Sequence, residues 1–308
     1  MQFLTGLVLL GIVVLPGVSF ASEYQEVGVE NGGTITGKVV LKGPTPELRY
    51  FPLVLFPFSE YCRKISDTQG NVVLQEFLTT SDGGLQDVIV AVQGVAKGKP
   101  FRHIKTEFVA INCMFHPADV PPSEHSMRDA AGRLHHAHPL VDIMENHQLI
   151  SVVNQDPIMH IGQVFQSERG NIVLNFPLPV STEPNGGPVH FKPGNRIVQM
   201  ICGMHEFMQT WGYMVDNPYY AKTRKGGAFT IDRLPPGTYK VTAWHPHLKP
   251  GVREVVVRPH ETASLMFEFD AAEVRRPNYE SQEKFRIGPE SHQHGTLTGD
   301  FDERIITQ

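Results

Sequence analysis

The chain has 308 residues, of which 41% are hydrophobic and 19% are charged, and its formal net charge is −5. This length is sufficient for one large or two ordinary domains. Because the sequence has no basic run that could neutralise a phosphate backbone, the composition argues against a nucleic-acid-binding protein. The chain contains three cysteines, Cys62, Cys113 and Cys202.

The first 21 residues have the features of a secretory leader. Residues 3–15 are almost entirely apolar, and Ser19-Phe20-Ala21 places small residues at the two positions that a signal peptidase reads. The leader has no Lys or Arg, so an uncleaved membrane anchor is the alternative. No other stretch approaches the ~18–20 apolar residues that span a bilayer. We expect residues 1–21 to be a signal peptide and the mature protein to be periplasmic or extracellular, without a stable membrane span.

The body of the chain has the alternation and turn signals of β-strands. Residues 34–41 are rich in β-branched side chains and end at Gly43-Pro44, and a second β-rich run covers residues 87–92. Near the C-terminus, two more predicted strands flank the turn Pro235-Pro236-Gly237, and the second of them alternates over residues 239–243. A helical period is not sustained over three turns anywhere in the body. We therefore predict an all-β protein.

Histidine and proline are frequent in residues 116–138. The histidines of this segment are His116, His125, His135, His136 and His138. Imidazole is a ligand for copper and zinc, so the segment could collect metal. The simpler interpretation, which we favour, is a solvated polar loop. We interpret His190, His245 and His247 similarly, as surface or hydrogen-bonded residues.

A thiol, an imidazole and a thioether lie close together at residues 202–208. The spacing Cys202-x2-His205-x2-Met208 suits a tight turn between two strands, and His160, which closes a turn-rich run, is a candidate for the missing ligand. Two His and one Cys with a weak axial Met form the trigonal site of blue-copper proteins. Each of these side chains alone would be ordinary core filler. Their combination predicts one type 1 copper ion, with zinc or a metal-free relic as the alternatives.

On these motifs the sequence resembles the cupredoxin family. The 202–208 loop is most similar to that of amicyanin-like members, and the stretch from Asn154 to Tyr220 is similar to exported bacterial proteins of the plastocyanin-like or methylamine-utilisation type. Such proteins commonly carry two cysteines near the positions of Cys62 and Cys113, so the resemblance implies that these two form a disulfide. An exported protein lies in a compartment where disulfides persist.

A second resemblance concerns residues 227–244 and 33–39, which look like the carboxypeptidase regulatory-like domain, a small transthyretin-like sandwich. The implied fold is a cupredoxin-like Greek-key β-sandwich joined to a carboxypeptidase regulatory-like β-sandwich. The latter would be discontinuous, and one continuous double sandwich is the alternative. The implied division is residues 31–98 plus 216–270 for the regulatory-like sandwich, 99–215 for the copper domain with its insertion 116–138, and 271–308 for a polar, disordered tail.

The cupredoxin resemblance implies an electron carrier rather than an enzyme. Its partner would be a redox protein such as a c-type cytochrome or a periplasmic oxidoreductase. The alternatives are a copper-binding or copper-delivery protein and a structural cell-envelope module without redox turnover. Two residues depart from the family pattern, since Ile161 stands where Asn is common and Glu206 where Pro is frequent. A carboxylate near copper favours Cu(II), so we expect Glu206 to lower the reduction potential.

The loop histidine is the expected exit for the electron. In the family the edge of this ring reaches the surface, so the resemblance implies an exposed His205 within an apolar patch that includes Met204, Phe207 and Trp211. Such a patch would allow brief docking of a redox partner. The alternative is that Phe207 and Trp211 fill the core of the sandwich.

Overall fold

The computed structural model describes residues 24–102, 107–118, 126–137, 141–145, 149–166, 172–181, 183–189 and 196–275. The predicted signal peptide and most of the predicted tail lie outside the described residues, as do His125, His138 and His190. Within the described part, no helix is long and apolar enough to cross a membrane.

The regular secondary structure of the described residues is almost entirely β-strand, which confirms the all-β prediction. In chain order the strands are β1 (Gln25–Glu26), β2 (Gly33–Lys42), β3 (Arg49–Pro52), β4 (Asn71–Gln75), β5 (Ile89–Val92), β6 (Lys97–Gly98), β7 (Glu107–Ile111), β8 (Met114–Pro117), β9 (Ser126–Arg128), β10 (Leu134–Ala137), β11 (Val141–Glu145), β12 (Leu149–Asn154), β13 (His160–Gln166), β14 (Ile172–Leu178), β15 (Asn185–Pro188), β16 (Ile197–Cys202), β17 (Gln209–Val215), β18 (Tyr220–Lys222), β19 (Ala228–Leu234), β20 (Gly237–Trp244), β21 (Gly251–Val257) and β22 (Thr262–Asp270). The helical elements of the described residues are one short α-helix, α1 (Ser59–Cys62), and 3-10 turns at Leu53–Leu55, Arg63–Ile65 and Ala271–Glu273.

The first β-sandwich has one sheet of order β15-β12-β7-β8 and one of order β11-β17-β16-β13-β14. Alternate residues of β12 and β13 are buried, as expected for strands with one face on a core. The two sheets share one apolar cluster, which includes Phe108, Ile150, Val152, Val164, Val198 and Met200. Cys202, at the end of β16, belongs to the same cluster.

The second β-sandwich pairs a sheet of order β18-β5-β20-β21 with a sheet of order β19-β2-β22. Its core contains Ile35, Val39, Val241, Ala243 and Phe267. Val241 and Ala243 lie two residues apart on β20, so the alternation read from the sequence places them correctly on one face.

The two sandwiches pack against each other through a third apolar cluster. β5 explains how: Ile89 and Ala91 belong to this cluster, whereas Val90 and Val92 point into the second core. All four residues are buried because both faces of the sheet are covered. Across the interface, Trp211 of β17 meets Trp244 of β20 edge to face, with ring centroids 6.3 Å apart. This contact makes Trp211 a packing residue.

Residues 53–65, here called the cap, lie between β3 and β4 and cover the first sandwich. Leu53, Phe56 and Ile65 are buried in the first core, and Cys62 forms a disulfide with Cys113 at the β7–β8 turn. The predicted domain segment 31–98 is therefore divided between the two cores, because its central apolar residues and its disulfide join it to the first. The predicted Cys62–Cys113 disulfide is confirmed.

The described part of the histidine-rich segment is ordered β-structure rather than a solvated loop. β9 and β10 form a hairpin, and β10 also pairs with β4. His136 is buried, with Nδ1 3.1 Å from Ser126 Oγ and Nε2 2.8 Å from the carbonyl oxygen of Ile65 in the cap. Both ring nitrogens are thus in hydrogen bonds, which explains the burial of an imidazole and leaves neither nitrogen free for a metal.

His245 and His247 are not surface residues. Both are buried, and His245 stacks on Phe77 with a centroid separation of 4.8 Å. The His247 backbone N–H donates to His245 Nδ1, and His247 Nε2 lies 3.3 Å from Glu76 Oε1. The expectation of a hydrogen-bonded ring is met for His245, whose Nδ1 accepts this bond, whereas the expectation of surface histidines is wrong for both residues.

We expect removal of the disulfide to destabilise the protein. Cys62 and Cys113 are 51 residues apart, so the bond constrains a long loop of the unfolded chain. Chain-entropy models predict that a disulfide closing a loop of this length stabilises the folded state by ~4 kcal/mol. Measured stabilisations by disulfides are typically ~2–4 kcal/mol. The Cys62→Ala, Cys113→Ala double variant should lose about this free energy of unfolding in denaturant titrations of the metal-free protein. Unchanged stability would contradict this role.

Candidate metal centre

The 202–208 loop connects β16 to β17, as the spacing of its side chains predicts. The Cys202 N–H donates to the carbonyl of Met208 at 3.0 Å, and the Met208 N–H donates to the carbonyl of His205 at 2.9 Å. The His205 N–H donates to the carbonyl of Cys202 at 3.2 Å. These bonds fold the loop into a tight turn. Because β16 and β17 fix both of its ends, the positions of its side chains are constrained.

His160 begins β13, which pairs antiparallel with β16. Gly162 of β13 lies opposite Cys202 in the register, and the Gly203 N–H donates to the carbonyl of Ile161 at 2.9 Å. The sheet therefore brings the start of β13 to the end of β16. This is how a residue distant in sequence reaches the loop.

His160, Cys202 and His205 form a compact triangle of donor atoms. Cys202 Sγ lies 3.7 Å from His160 Nδ1 and 3.6 Å from His205 Nδ1. The three donor atoms lie within 4.8 Å of one another, and all three residues have 0% exposure. Bonds of about 2.0 Å to nitrogen and about 2.3 Å to sulfur that meet at about 120° place those donors about 3.7 Å apart. The spacing fits one ion in a trigonal site.

The other nitrogen of each ring is held by an oxygen atom that can only accept a hydrogen bond. His160 Nε2 lies 2.9 Å from Asp156 Oδ2, and His205 Nε2 lies 2.8 Å from the carbonyl oxygen of Pro57 in the cap. Each Nε2 therefore carries its hydrogen. This leaves Nδ1, on the side of Cys202, as the nitrogen that can ligate a metal.

Asp156 is a functional residue that the sequence patterns did not reveal. It is fully buried, and its carboxylate accepts hydrogen bonds from His160, the Tyr61 hydroxyl and the backbone N–H groups of Asn112 and Cys113. In the sequence, the available indication was that a carboxylate lies four residues before a candidate ligand. Asp156 was instead interpreted as part of a turn, because the residues around it are typical of turns.

The site stabilises charge in the metal-free protein. Burial raises the pKa of the Cys202 thiol, but hydrogen bonds from His160 and His205 outweigh burial, and the pKa falls to about 5. Burial lowers the pKa of His160, whereas hydrogen bonds to Asp156 and Cys202 raise the pKa to about 9. At neutral pH the site therefore holds a thiolate beside a protonated imidazole. Thiolate is the form of cysteine that binds metals.

Met208 lies in the same buried apolar cluster as Cys202 and has 0% exposure. Its backbone closes the loop against Cys202, as described above. The structure thus places the backbone of Met208 next to that of Cys202, and the role of its side chain as an axial ligand stays a prediction.

The expectation of an exposed His205 is wrong. The ring is fully buried because the cap covers it, with Pro57 bound to Nε2 and Phe207 packed beside it at a centroid distance of 5.5 Å. Phe207 is itself fully buried and meets Phe56 edge to face at 5.1 Å. The alternative interpretation, burial in the sandwich core, is correct for Phe207, whereas Trp211 is buried in the apolar cluster between the two sandwiches. Replacement of Phe207 by Ala would therefore cost about 3–5 kcal/mol of stability.

Glu206 is also buried, at 1% exposure. Its backbone carbonyl accepts a hydrogen bond from Gln209 Nε2 at 2.6 Å. The carboxylate that binds a ring of the donor triangle is that of Asp156. The expected influence of Glu206 on the reduction potential stays a prediction.

The family model that matches the chain is polysaccharide lyase family 4, domain II, over residues 206–265. This span begins in the 202–208 loop and continues through the C-terminal strands of the second sandwich. It is a different family from the carboxypeptidase regulatory-like domain that the sequence resemblance implied. No curated protein matches the sequence significantly.

Solved structures similar to the chain include copper proteins. A purple cupredoxin from Nitrosopumilus maritimus is 15% identical over 36% of this chain and 100% of its own, with a TM-score of 0.23. The copper-containing nitrite reductase of Thermus scotoductus SA-01 is 15% identical over 38% of this chain and 24% of its own, with a TM-score of 0.23. A proline-to-alanine mutant of amicyanin in its oxidised state is 10% identical over 41% of this chain and 98% of its own, with a TM-score of 0.22. These TM-scores are too low to support an argument about the metal. The identity of the metal is therefore argued from the donor atoms of this chain alone.

The thiol of the metal-free protein should titrate well below the ordinary range for cysteine. As pH rises through about 5, Cys202 should lose its proton, because its pKa lies there rather than near 8.5. The ultraviolet absorbance of the thiolate measures this transition, and Cys202→Ser should lack it because the other two cysteines form the disulfide. A midpoint near the ordinary value would contradict the hydrogen-bonded arrangement of the site.

Proposed function

We propose that the protein binds one copper ion through His160, Cys202 and His205, with Met208 as a weak axial donor, and carries single electrons between redox partners outside the cytoplasm. The observation that supports this function most strongly is the fully buried triangle of two Nδ1 atoms and one Sγ atom. Its spacing suits a trigonal ion, and its donors match those of copper electron-transfer sites.

The donor set favours copper over zinc. Zinc usually takes four nitrogen, oxygen or thiolate ligands in a tetrahedron. Among the described residues, three such donors converge here, and Met208 of the same loop offers a thioether, which is a soft ligand suited to Cu(I). When bound, copper supplies a centre that gains and loses one electron.

The protein groups define how such an ion would be held. Cys202 is already a thiolate at neutral pH, so its thiol does not have to be deprotonated when the ion binds. His160 and His205 are fixed by Asp156 and the Pro57 carbonyl, which orient both rings toward the sulfur. Because strands and hydrogen bonds hold the donors, they need to move little between oxidation states. Burial excludes water from the donors.

We propose a carrier rather than an enzyme or a delivery protein. A delivery protein must release its metal, whereas the donors of this triangle are fully buried under the disulfide-anchored cap. The copper-collecting alternative depended on the histidine-rich segment, in which His135 and His136 are buried in a hairpin. The partner we propose is a redox protein such as a c-type cytochrome or a periplasmic oxidoreductase.

Copper loading followed by visible spectroscopy tests the proposed function. The wild-type protein loaded with Cu(II) should take up one copper per chain and show an intense thiolate-to-copper charge-transfer band. Cys202→Ser should lose the band and most of the copper affinity, because a hydroxyl is a hard donor that is barely acidic. Met208→Leu should keep the band and raise the reduction potential, because it removes a weak donor.

Three outcomes would count against this assignment. A blue band that persists in Cys202→Ser would show that the Cys202 thiolate is not the ligand that gives the colour. Stoichiometric copper in the wild-type protein without the band would contradict a type 1 site. Copper above one per chain would favour collection or delivery over electron transfer.

The cap provides a short hydrogen-bonded connection from the site toward solvent. His205 Nε2 is bound to the carbonyl of Pro57, an exposed residue, and Val54 and Phe58 beside it are 84% and 46% exposed. An electron that leaves through His205 would thus emerge among apolar side chains suited to brief docking. Val54→Glu should slow electron exchange with an acidic or neutral c-type cytochrome by about tenfold or more without changing the visible spectrum.

Val256→Glu is the matched control, because Val256 is 56% exposed on β21 of the second sandwich, outside the cap and the first core. It should exchange electrons at the wild-type rate. Equal rates in Val54→Glu, Val256→Glu and the wild-type protein, at low and high salt, would show that the electron leaves by another route.

A further inference from the structure

The turn between β7 and β8 has an unusual backbone conformation. Ile111 and Met114 pair with each other, so Asn112 and Cys113 form a two-residue hairpin turn. Their φ angles are 53° and 54°. A turn with positive φ at both central residues usually contains glycine, and a cysteine there is uncommon. Such conformations persist where surrounding contacts hold them.

The carboxylate of Asp156 provides those contacts. The Asn112 N–H donates to Oδ1 at 2.7 Å, and the Cys113 N–H donates to Oδ2 at 2.8 Å. Two successive backbone N–H groups in a turn of this kind form a concave site for an anion. The turn thus binds Asp156 as an anion, and burial of the carboxylate is offset by its hydrogen bonds.

The same carboxylate contacts both the cap and the candidate metal ligand. Tyr61 in the cap donates its hydroxyl hydrogen to Oδ1 at 2.6 Å, and His160 Nε2 donates to Oδ2 at 2.9 Å. Each oxygen therefore accepts one hydrogen bond from the turn and one from a side chain. A change in any donor alters how strongly Asp156 attracts the others.

We propose that Asp156 is a positioning residue that couples the cap and the β7–β8 turn to the copper ligand His160. The inference rests on the function proposed above. Asp156 fixes the ring orientation of His160 and increases the electron density that its Nδ1 offers to copper. Tyr61 weakens the interaction of Asp156 with His160, because its hydroxyl donates a hydrogen bond that partly stabilises the negative charge of the carboxylate.

Two variants should move the reduction potential in opposite directions. Asp156→Asn removes the negative charge beside His160, which makes Cu(II) less favourable and raises the potential. Tyr61→Phe removes one hydrogen bond from the carboxylate, strengthens its interaction with His160 and lowers the potential. Asp156→Asn should also weaken copper affinity by about 10–100-fold in chelator competition.

Tyr239→Phe is the matched control for loss of a tyrosine hydroxyl. Tyr239 is half-buried in the second sandwich, and its hydroxyl donates to the carbonyl of Pro235 at 2.9 Å. This variant should keep the wild-type potential. A merely structural role of Asp156 would lower stability without opposite shifts of the potential. If Asp156→Asn fails to fold, the reduction potentials of Tyr61→Phe and Tyr239→Phe still test the proposal, because only Tyr61→Phe should lower the potential.

A measurement on the metal-free protein separates this inference from the proposed function. In nuclear magnetic resonance spectra, the His160 Nε2–H should give a slowly exchanging, downfield signal. The signal should shift in Tyr61→Phe and stay unchanged in Tyr239→Phe. If the wild-type protein fails to form a type 1 copper site but these signals behave as stated, the function is wrong and the coupling stands. If the wild-type protein forms the blue site but Tyr61→Phe matches Tyr239→Phe in signal and potential, the coupling is wrong.

Discussion

The contact of one buried thiol with two buried imidazoles is the interaction on which the candidate site depends. A charged group removed from water is costly unless it has hydrogen-bonding or ionic partners. Cys202 has two such partners at 3.6 Å and 3.7 Å, and they hold its pKa at about 5 despite complete burial. The protein therefore keeps in its interior a thiolate, which is the form of cysteine that can bind a metal. The rest of the first sandwich serves to hold these three side chains in place.

That support comes from several levels of structure. The β13–β16–β17 arrangement brings the donors together, and the cap and Asp156 fix the far nitrogens of the two rings. The disulfide joins the cap to the turn that binds Asp156. The two sides of the site are consequently linked, since the segment that covers His205 also reaches the carboxylate that orients His160. The second sandwich contributes less directly, through its packing on the face of β17 that contains Trp211.

Sequence patterns predicted the local parts of this structure. The thiol and imidazole of the 202–208 loop have a spacing that a tight turn brings together. The β-branched runs bounded by turn residues identified strands such as β2 and β5, because these signals lie within each segment of the sequence. The cap could not be predicted in this way. Its contact with His205 joins residues 148 positions apart, and neither Pro57 nor Tyr61 has a feature that marks it as part of a site. The same limit explains why His205 was expected at the surface.

The central claim is that copper binds to one thiolate and two imidazoles of the same chain. X-ray absorption spectroscopy of the wild-type protein loaded with one equivalent of Cu(II) measures the donors directly. We expect one short copper–sulfur distance and two copper–nitrogen distances from imidazole, and we expect the short sulfur distance to be absent from any copper that Cys202→Ser still binds. A copper ion surrounded by nitrogen and oxygen donors alone, with no short sulfur distance, would contradict the account.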